Sequence, residues 1–368
     1  MVTDNFIGER LAAFRNSRGI KQSDLSKAMG FKDRQTLSAI ETGERKMQPE
    51  ELLSAIEFLH ITMDEFLDPI SVIGKAQFSW RQYDASEAEL DETEKYVSKI
   101  IALFEYLIKD KEEKLAILPK LPLNKQSTVS DAEFYAKQLT AHLNLGKYPA
   151  QKIQSIVSER LGIKTFYLDL NPKVSSAAVN MTSKNYIVIN RSEVLGIRNF
   201  NYAHDLFHSL TWDALIPLKV KKAYLNDKGK KPIVEKLADA FVSSILMPQD
   251  TIRAHMNLNT NDVDEDYVNA LADKFLVNSP AMLVRLKTLG LITQAQFDGM
   301  DRNKLKEGRG LSKTTQPLSF NFEFASALNE AIGSGKISVR KAAEDLNISI
   351  NSLKVVFVNH NLPQVFDL

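Results

Sequence analysis

His204 and His208 stand four residues apart in a stretch of helical patterning. That spacing sets two imidazoles on one helix face a turn apart, as two nitrogen ligands of a tetrahedral Zn2+ must be. With six histidines in the chain such a pair arises by chance in roughly one sequence in ten, so the spacing alone is weak and the surroundings have to carry the reading. A second helical pattern follows, with Glu235 and Asp239 one turn apart. Glu235 can supply a third ligand. Asp239 can accept a hydrogen bond from a ligand histidine's free N–H and so fix its tautomer. A water then completes the shell and is acidified by the metal.

Composition narrows what such a site can be. The chain has no cysteine, which excludes disulfides and thiolate sites and leaves histidine and carboxylate as the only ligands. His60, His142, His255 and His360 have no ligand-like neighbours in the sequence and read as surface or core residues, while Phe207 and Trp212 suit core packing. No apolar run approaches the roughly 18 residues that span a bilayer, and the N-terminal stretch lacks the basic-then-apolar layout of a secretion signal. A cytoplasmic protein without membrane contact is expected. With 44% apolar and 25% charged residues, 15 Gly and 12 Pro, neither disorder nor a fibrous repeat is indicated. The 368 residues exceed a single core and suggest two or three domains of about 100–200 residues each. A net charge of +1 gives no global attraction to nucleic acid, so DNA binding must rest on a local face.

The elements that must position these residues are mainly helical. Residues 5–67 read as short helices with polar breaks. A long helix is expected over 86–118, opened by a capping box of Ser86 with Glu89, with Val97, Ile100, Ile101, Phe104, Leu107 and Ile108 at helical spacing. Its apolar face wants a partner, either its own domain or another helix across a dimer or domain interface. Leu118 to Ser127 holds two prolines three apart, which block helix and central strand, so it reads as a linker. Residues 131–162 look helical. Lys164–Leu170 and Tyr186–Asn190, β-branched or aromatic-rich and bounded by turn residues, are the strand territory. Helical patterning then dominates from about Phe200 to the C-terminus, interrupted by a lysine-rich stretch, Lys219–Lys231, that reads as a solvated loop. The fold class is therefore mainly α with a small β-sheet, an α+β protein. The expected domains are 1–70, all-α; 71–127, helical connector and linker; 128–250, around the metal candidates; and 251–368, helical.

In the first of these, Gly30 allows a tight turn, Leu25 and Ala28 give the preceding helix an apolar edge, and Leu37 with Ile40 gives the following helix its inward stripe. Asp33 is placed to cap that second helix. Arg34, Gln35, Thr36 and Ser38 near its start can reach base edges in a major groove, and Gln22, Arg45 and Lys46 can touch phosphates. The run Gly19-x-x-Gln22-x-x-Leu25-x-x-x-x-Gly30 and the later Ile40-Glu41-x-Gly43 resemble the XRE (Cro/repressor-like) helix-turn-helix family over residues 5–67. Residues 1–70 carry nine Lys/Arg against twelve Asp/Glu, a net −3. Affinity for operator DNA must then come from a small clustered face, doubled in a homodimer.

Residues 131–292 resemble the ImmA/IrrE family of zinc metallopeptidases. The likeness rests on Asn190 after a strand, Arg198, the His204-Asp205-x-x-His208 run, Glu235-x-x-Ala238-Asp239-x-Phe241, the Leu246-Met247-Pro248 stop, and the later Val277-Asn278-Ser279-Pro280, Arg285 and Leu289-Gly290. It implies a zincin-like domain holding Zn2+, or Mn2+ in its place. In such peptidases the glutamate after the first histidine is the general base, and here that position is Asp205. Its stem is one methylene shorter, which withdraws the oxygen by about 1.5 Å, and a displacement near 1 Å can cost on the order of 100-fold in rate. Three readings of the site therefore stay open: a peptidase with Asp205 as base, a degenerate domain that binds metal or peptide as a sensor, and a structural helix pair.

Residues 335–353 form a second helix-turn-helix-like stretch in which Ala342, Leu346 and Leu353 point inward. The joint resemblance implies a transcriptional regulator that cleaves or senses a regulatory protein, of the kind that serves prophage induction, stress response or toxin–antitoxin loci. With both parts in one chain, the linker near 118–127 is a conceivable target of its own. The alternative is a non-catalytic antitoxin that binds a cognate toxin and autoregulates its operon.

Overall fold

The computed structural model describes residues 6–67, 76–109, 118–181, 184–215, 231–256, 263–305 and 316–367. The N-terminal helices are α1 (Phe6–Ser17), α2 (Gln22–Ala28), α3 (Arg34–Glu41), α4 (Pro49–Leu59) and α5 (Met63–Leu67). They close over their own core of Leu11, Phe14, Leu25, Met29, Leu37, Ile40, Ala55, Leu59 and Phe66. Asp33 caps α3 as its position suggests, accepting from the Gln35 and Thr36 amides. The inward edge of α2 is Leu25 with Met29, whereas Ala28 is exposed. One turn separates Leu25 from Met29, and the larger side chain takes the core position.

The expected α+β class holds, with a four-stranded sheet where two strands were legible. Strands β1 (Ala76–Gln82), β2 (Lys164–Leu168), β3 (Val174–Met181) and β4 (Asn185–Asn190) lie in the order β1-β3-β4-β2. The β1/β3 and β3/β4 pairs are antiparallel, and β2/β4 is parallel. Both strands missing from the sequence reading, β1 and β3, are fixed by pairing. Strand β3 is central, and its Ser175, Ser176, Ala177 and Ala178 lack the bulk that marks a strand in isolation.

Period-two alternation divides the sheet's two faces between two cores. Ile187 and Ile189 join one, with α7 (Val129–His142), α8 (Ile153–Leu161), α9 (Leu195–Thr211), α10 (Ile233–Leu246), α11 (Gln249–His255), α12 (Glu265–Phe275), α13 (Ser279–Thr288) and α14 (Gln294–Gly299) on that side. Phe78, Trp80, Phe166, Leu168, Ala177, Val179, Tyr186 and Val188 join the other. There the long helix α6 (Glu87–Ile108) packs with α15 (Phe322–Gly333), α16 (Val339–Asp345) and α17 (Ile350–Asn359). The capping box of Ser86 and Glu89 is present, and the apolar face of α6 finds its partner inside this core.

The segment read as a connector therefore contributes an edge strand and a core helix, and the C-terminal helices share that core rather than standing apart. Continuation of α6 towards Leu118 and the lysine-rich stretch up to Lys230 lie outside the described residues. Ala342, Leu346 and Leu353 are fully buried, and the chain end packs back, with Asn329 donating to the Pro363 carbonyl. The expected linker lies on the first core: Leu123 is buried, and the Leu121 amide donates to the Leu210 carbonyl at the end of α9.

Candidate metal centre

The metal candidates are positioned from the end of β4. Asn190 is buried there. Its amide donates to the Val174 carbonyl at 2.9 Å, and its oxygen accepts from the amide and hydroxyl of Ser192, fixing the exit from the strand. Arg198, one turn into α9, donates back to the carbonyls of Arg191 and Glu193, so the strand–turn–helix corner is tied at both ends. Further round α9, Asn199 donates to the Leu276 carbonyl, and Gly196 meets the Val277–Asn278 backbone. A Cβ on Gly196 would lie 2.7 Å from backbone atoms of both residues.

Helix α9 crosses β1, β3 and β4 and packs on α10, with Phe207 against Phe241 at a centroid distance of 5.4 Å. Helix α10 starts after Pro232 and stops before Pro248, which puts Glu235 in its first turn, where the helix dipole favours an anion. The structure brings His204, His208 and Glu235 together. His204 Nε2 is 3.1 Å from one carboxylate oxygen and His208 Nε2 is 3.5 Å from the other. One donor atom from each residue falls within 4.8 Å of the other two, and all three residues are buried. Among the described residues no other such cluster of metal-ligating side chains occurs.

The protonation states suit a cation. Burial, reinforced by the charge of His204, pushes His208 down to about 3, so its imidazole is neutral and both ring nitrogens lack a hydrogen-bond partner. Burial alone would raise Glu235. The hydrogen bond from His204 and the charges of His204, His208 and Lys231 outweigh it and hold this carboxyl at about 2. For His204, burial and Arg81 pull down, but the Asp205 and Glu235 carboxylates prevail and its pKa is raised. A neutral imidazole with an unused lone pair, a second imidazole and an ionised carboxylate make a zinc-type donor set.

One expected residue, Asp239, sits elsewhere. Midway along α10, Asp239 pairs with Lys231 and makes no bond to either imidazole, because one further turn of α10 carries its short side chain past the histidines. Asp205 is buried beside the site without a hydrogen-bond partner, and its Oδ1 faces His204 Nδ1 at 3.8 Å. Burial raises its pKa, against the pull of His204, Ser176 and Arg81. The sequence reading also missed Arg81, on β1, a cation close enough to influence all three of His204, Asp205 and His208.

In the N-terminal module, Arg34 and Gln35 are exposed at the start of α3, with Thr36 and Ser38 partly so and Lys46 exposed beyond it. Gln22 and Arg45 are engaged internally. Gln22 donates to Glu41 at 2.7 Å, and Glu41 also takes a two-pronged bond from Arg15 at 2.7 and 2.9 Å. Arg45 forks onto Glu51 at 2.6 and 2.9 Å and stacks on Phe31. The motif residues Gln22 and Glu41 are thus partners across α2 and α3.

A buried two-histidine, one-glutamate cluster on paired helices beside a mixed sheet stands in one chain with a capped helix-turn-helix, which joins a DNA-binding type of module to a metallopeptidase-like domain. The family comparisons agree: residues 11–66 match the helix-turn-helix model and residues 158–287 match that of the IrrE N-terminal-like domain. The chain carries an XRE-type helix-turn-helix fused to an ImmA/IrrE-like domain. No curated protein matches the chain, and no helix among the described residues is long and apolar enough to cross a membrane.

Proposed function

We propose that the chain is a transcriptional regulator that binds operator DNA as a homodimer, and that its second domain holds Zn2+, or Mn2+ in its place, through His204, His208 and Glu235 to cleave or sense a regulatory protein. The observation that carries this reading is the buried, partly unsatisfied donor set where α9 meets α10. Such an arrangement is costly to bury unless a ligand completes it. When bound, the ion would supply Lewis acidity towards a peptide carbonyl and towards water. The chain's own residues do the rest. His208 offers a neutral nitrogen, Glu235 an ionised oxygen, His204 gives up a proton on binding, and the packed helices keep bulk water from the ligand atoms.

The same geometry supports a non-catalytic variant of this reading. His204 turns Nε2 to Glu235 and Nδ1 to Asp205. The carboxylate in the general-base position therefore lies on the Nδ1 side of the His204 ring, 3.8 Å away and without a hydrogen bond to it, rather than on the Nε2 side that Glu235 shares. A protein that recognises a toxin or a peptide signal needs nothing more.

Metal content by mass spectrometry tests the shared core of both readings. About one zinc per chain is expected for the wild type, following the one-site geometry, and little for Glu235→Ala. Equal zinc in the two proteins would overturn the assignment. Incubation of zinc-loaded protein followed by gel analysis, with His204→Ala alongside, asks whether the chain cuts itself near 118–127. The docked position of Leu121 and Leu123 predicts no metal-dependent fragment from that segment.

A further inference from the structure

The edge strand β1 runs alongside α9. Gln77 accepts from the Trp212 indole at the C-terminal end of that helix, at 2.9 Å. Arg81 lies with its guanidinium carbon 5.2 Å from the ring centre of Phe200, one helical turn before His204. Alternation sends Phe78 and Trp80 into the far core and turns Gln77, Ser79 and Arg81 towards α9. The register confirms the facing: Arg81 pairs with Ser176, whose neighbour across the sheet is Ile189 of the α9-side core. A register shift follows immediately, between Arg81 and Gln82, and irregularities of this kind re-aim a side chain beside a functional site.

Arg81 is half-buried, and among the described residues its guanidinium has no hydrogen-bond or ion-pair partner; stacking on Phe200 is its sole anchor. Five N–H donors held in a planar fork beside a metal site, with nothing to accept them, are built for a carboxylate. Glu235 is taken by the histidines and Asp205 faces His204, so no acid of the described chain answers Arg81. The residue also lies outside both matched family segments, 11–66 and 158–287.

We propose that Arg81, half-buried beside the metal candidates, is a carboxylate-binding residue that selects peptide ligands presenting a terminal or side-chain carboxylate. The proposal rests on the metal reading for the position of the ligand but not for the role of the guanidinium. It serves a peptidase and a peptide sensor equally, because it fixes what is recognised and leaves open whether a bond is cut.

The test uses the full chain, metal-free and zinc-loaded, with N-acetylglycine for a terminal carboxylate and N-acetylaspartate α-methylamide for a side-chain carboxylate. N-acetylglycinamide is the uncharged control. Binding is followed by saturation-transfer NMR and, on cobalt-substituted protein, by visible absorption. A charge-assisted two-pronged bond predicts about tenfold weaker carboxylate binding for Arg81→Gln, partial retention in Arg81→Lys, and no change for the amide. Which of the two acids binds more tightly identifies the source of the carboxylate. Carboxylate binding that is undetectable in the wild type, or equal in wild type and Arg81→Gln, overturns the proposal. Metal content separates the two readings: an Arg81-dependent preference in protein that takes up no zinc would sink the metal assignment alone, and a zinc-loaded protein indifferent to Arg81 would sink this one alone.

Discussion

Asp205 Oδ1 lies 3.8 Å from Nδ1 of His204, while Nε2 of the same ring lies 3.1 Å from Glu235. The imidazole stands between the two acids. One acid shares its metal-facing nitrogen, and the other lies on the Nδ1 side of the ring.

Lengthening Asp205 should change the chemistry more than removing its charge changes metal binding. Asp205→Glu adds one methylene and extends the reach of the carboxylate by about 1.5 Å. If the natural residue is too short to act as base, this variant should raise peptide hydrolysis on the order of 100-fold over wild type, with unchanged zinc content. Initial rates on a quenched-fluorescence peptide library measure it. Faster cleavage by the wild type would show that Asp205 itself is the working base.

Zinc affinity should fall with acidity along a one-proton slope. His208 is held at about 3 and Glu235 at about 2, so neither takes up a proton near neutrality. His204, whose pKa the neighbouring carboxylates raise above its ordinary 6.5, is the one of the three that takes up a proton as the pH falls, and it must release that proton for the ion to bind. Affinity should therefore drop by about tenfold per pH unit once the pH is below the raised pKa of His204. Chelator competition between about pH 5 and 8 reads the slope. A slope of two would mean that His208 also titrates in this range.

How much of this was legible in the sequence varies with how local each feature is. His204 and His208, the Asp33 cap and the Ser86–Glu89 box follow from spacings of three or four residues, which a helix converts directly into neighbours. Asp239 also sits one turn from Glu235, but spacing on one helix does not tell which face a second helix meets. Strands β1 and β3 are separated by 91 residues between their last and first positions, and only their pairing makes strands of AQFSWRQ and VSSAAVNM. Arg81 could not be placed at the metal site until β1 had a register. The division of the chain between two cores was hidden for the same reason, since it depends on which face of each strand is covered.

Glu41 should prove structural rather than DNA-contacting. Its carboxylate is nearly buried, with side-chain exposures of 10% for Arg15 and 6% for Glu41, and it satisfies both Arg15 and Gln22. Removing one partner of a buried pair leaves the other unpaired, at a cost of about 3 kcal/mol. Glu41→Ala should lower hydrogen-exchange protection in α3 by roughly two orders of magnitude while zinc content stays constant. Unaltered protection would show that water replaces the carboxylate at little cost.

Gly196 is required by close approach rather than by its own conformation. An added methyl would meet backbone atoms of Val277 and Asn278 at 2.7 Å, and backbone cannot swing aside as a side chain can. Gly196→Ala should destabilise the second domain by about 1–3 kcal/mol. At Gly299, in α14, nothing lies within 4 Å of the same added atom, and Gly299→Ala should be neutral or stabilising by about 0.4–1 kcal/mol. Thermal unfolding of the two variants side by side provides the comparison, and equal melting temperatures would show that the Val277–Asn278 loop yields freely.

The DNA face can be separated residue by residue, because the structure divides the predicted contacts into free and engaged groups. Arg34 and Gln35 are exposed at the start of a helix capped by Asp33, whereas Gln22 and Arg45 already hold Glu41 and Glu51. Arg34→Ala and Gln35→Ala should each cost about 1–3 kcal/mol at the operator and relax base preference there. Lys46→Ala should weaken all sequences alike and reduce the salt slope by about one. Arg45→Ala should act chiefly on stability, since its guanidinium forks onto Glu51 and stacks on Phe31. Binding to operator and random duplexes across a salt series decides it. Equal losses on both duplexes for Arg34→Ala and Gln35→Ala would remove α3 as the reading helix, and the small acidic module would then need another surface for DNA.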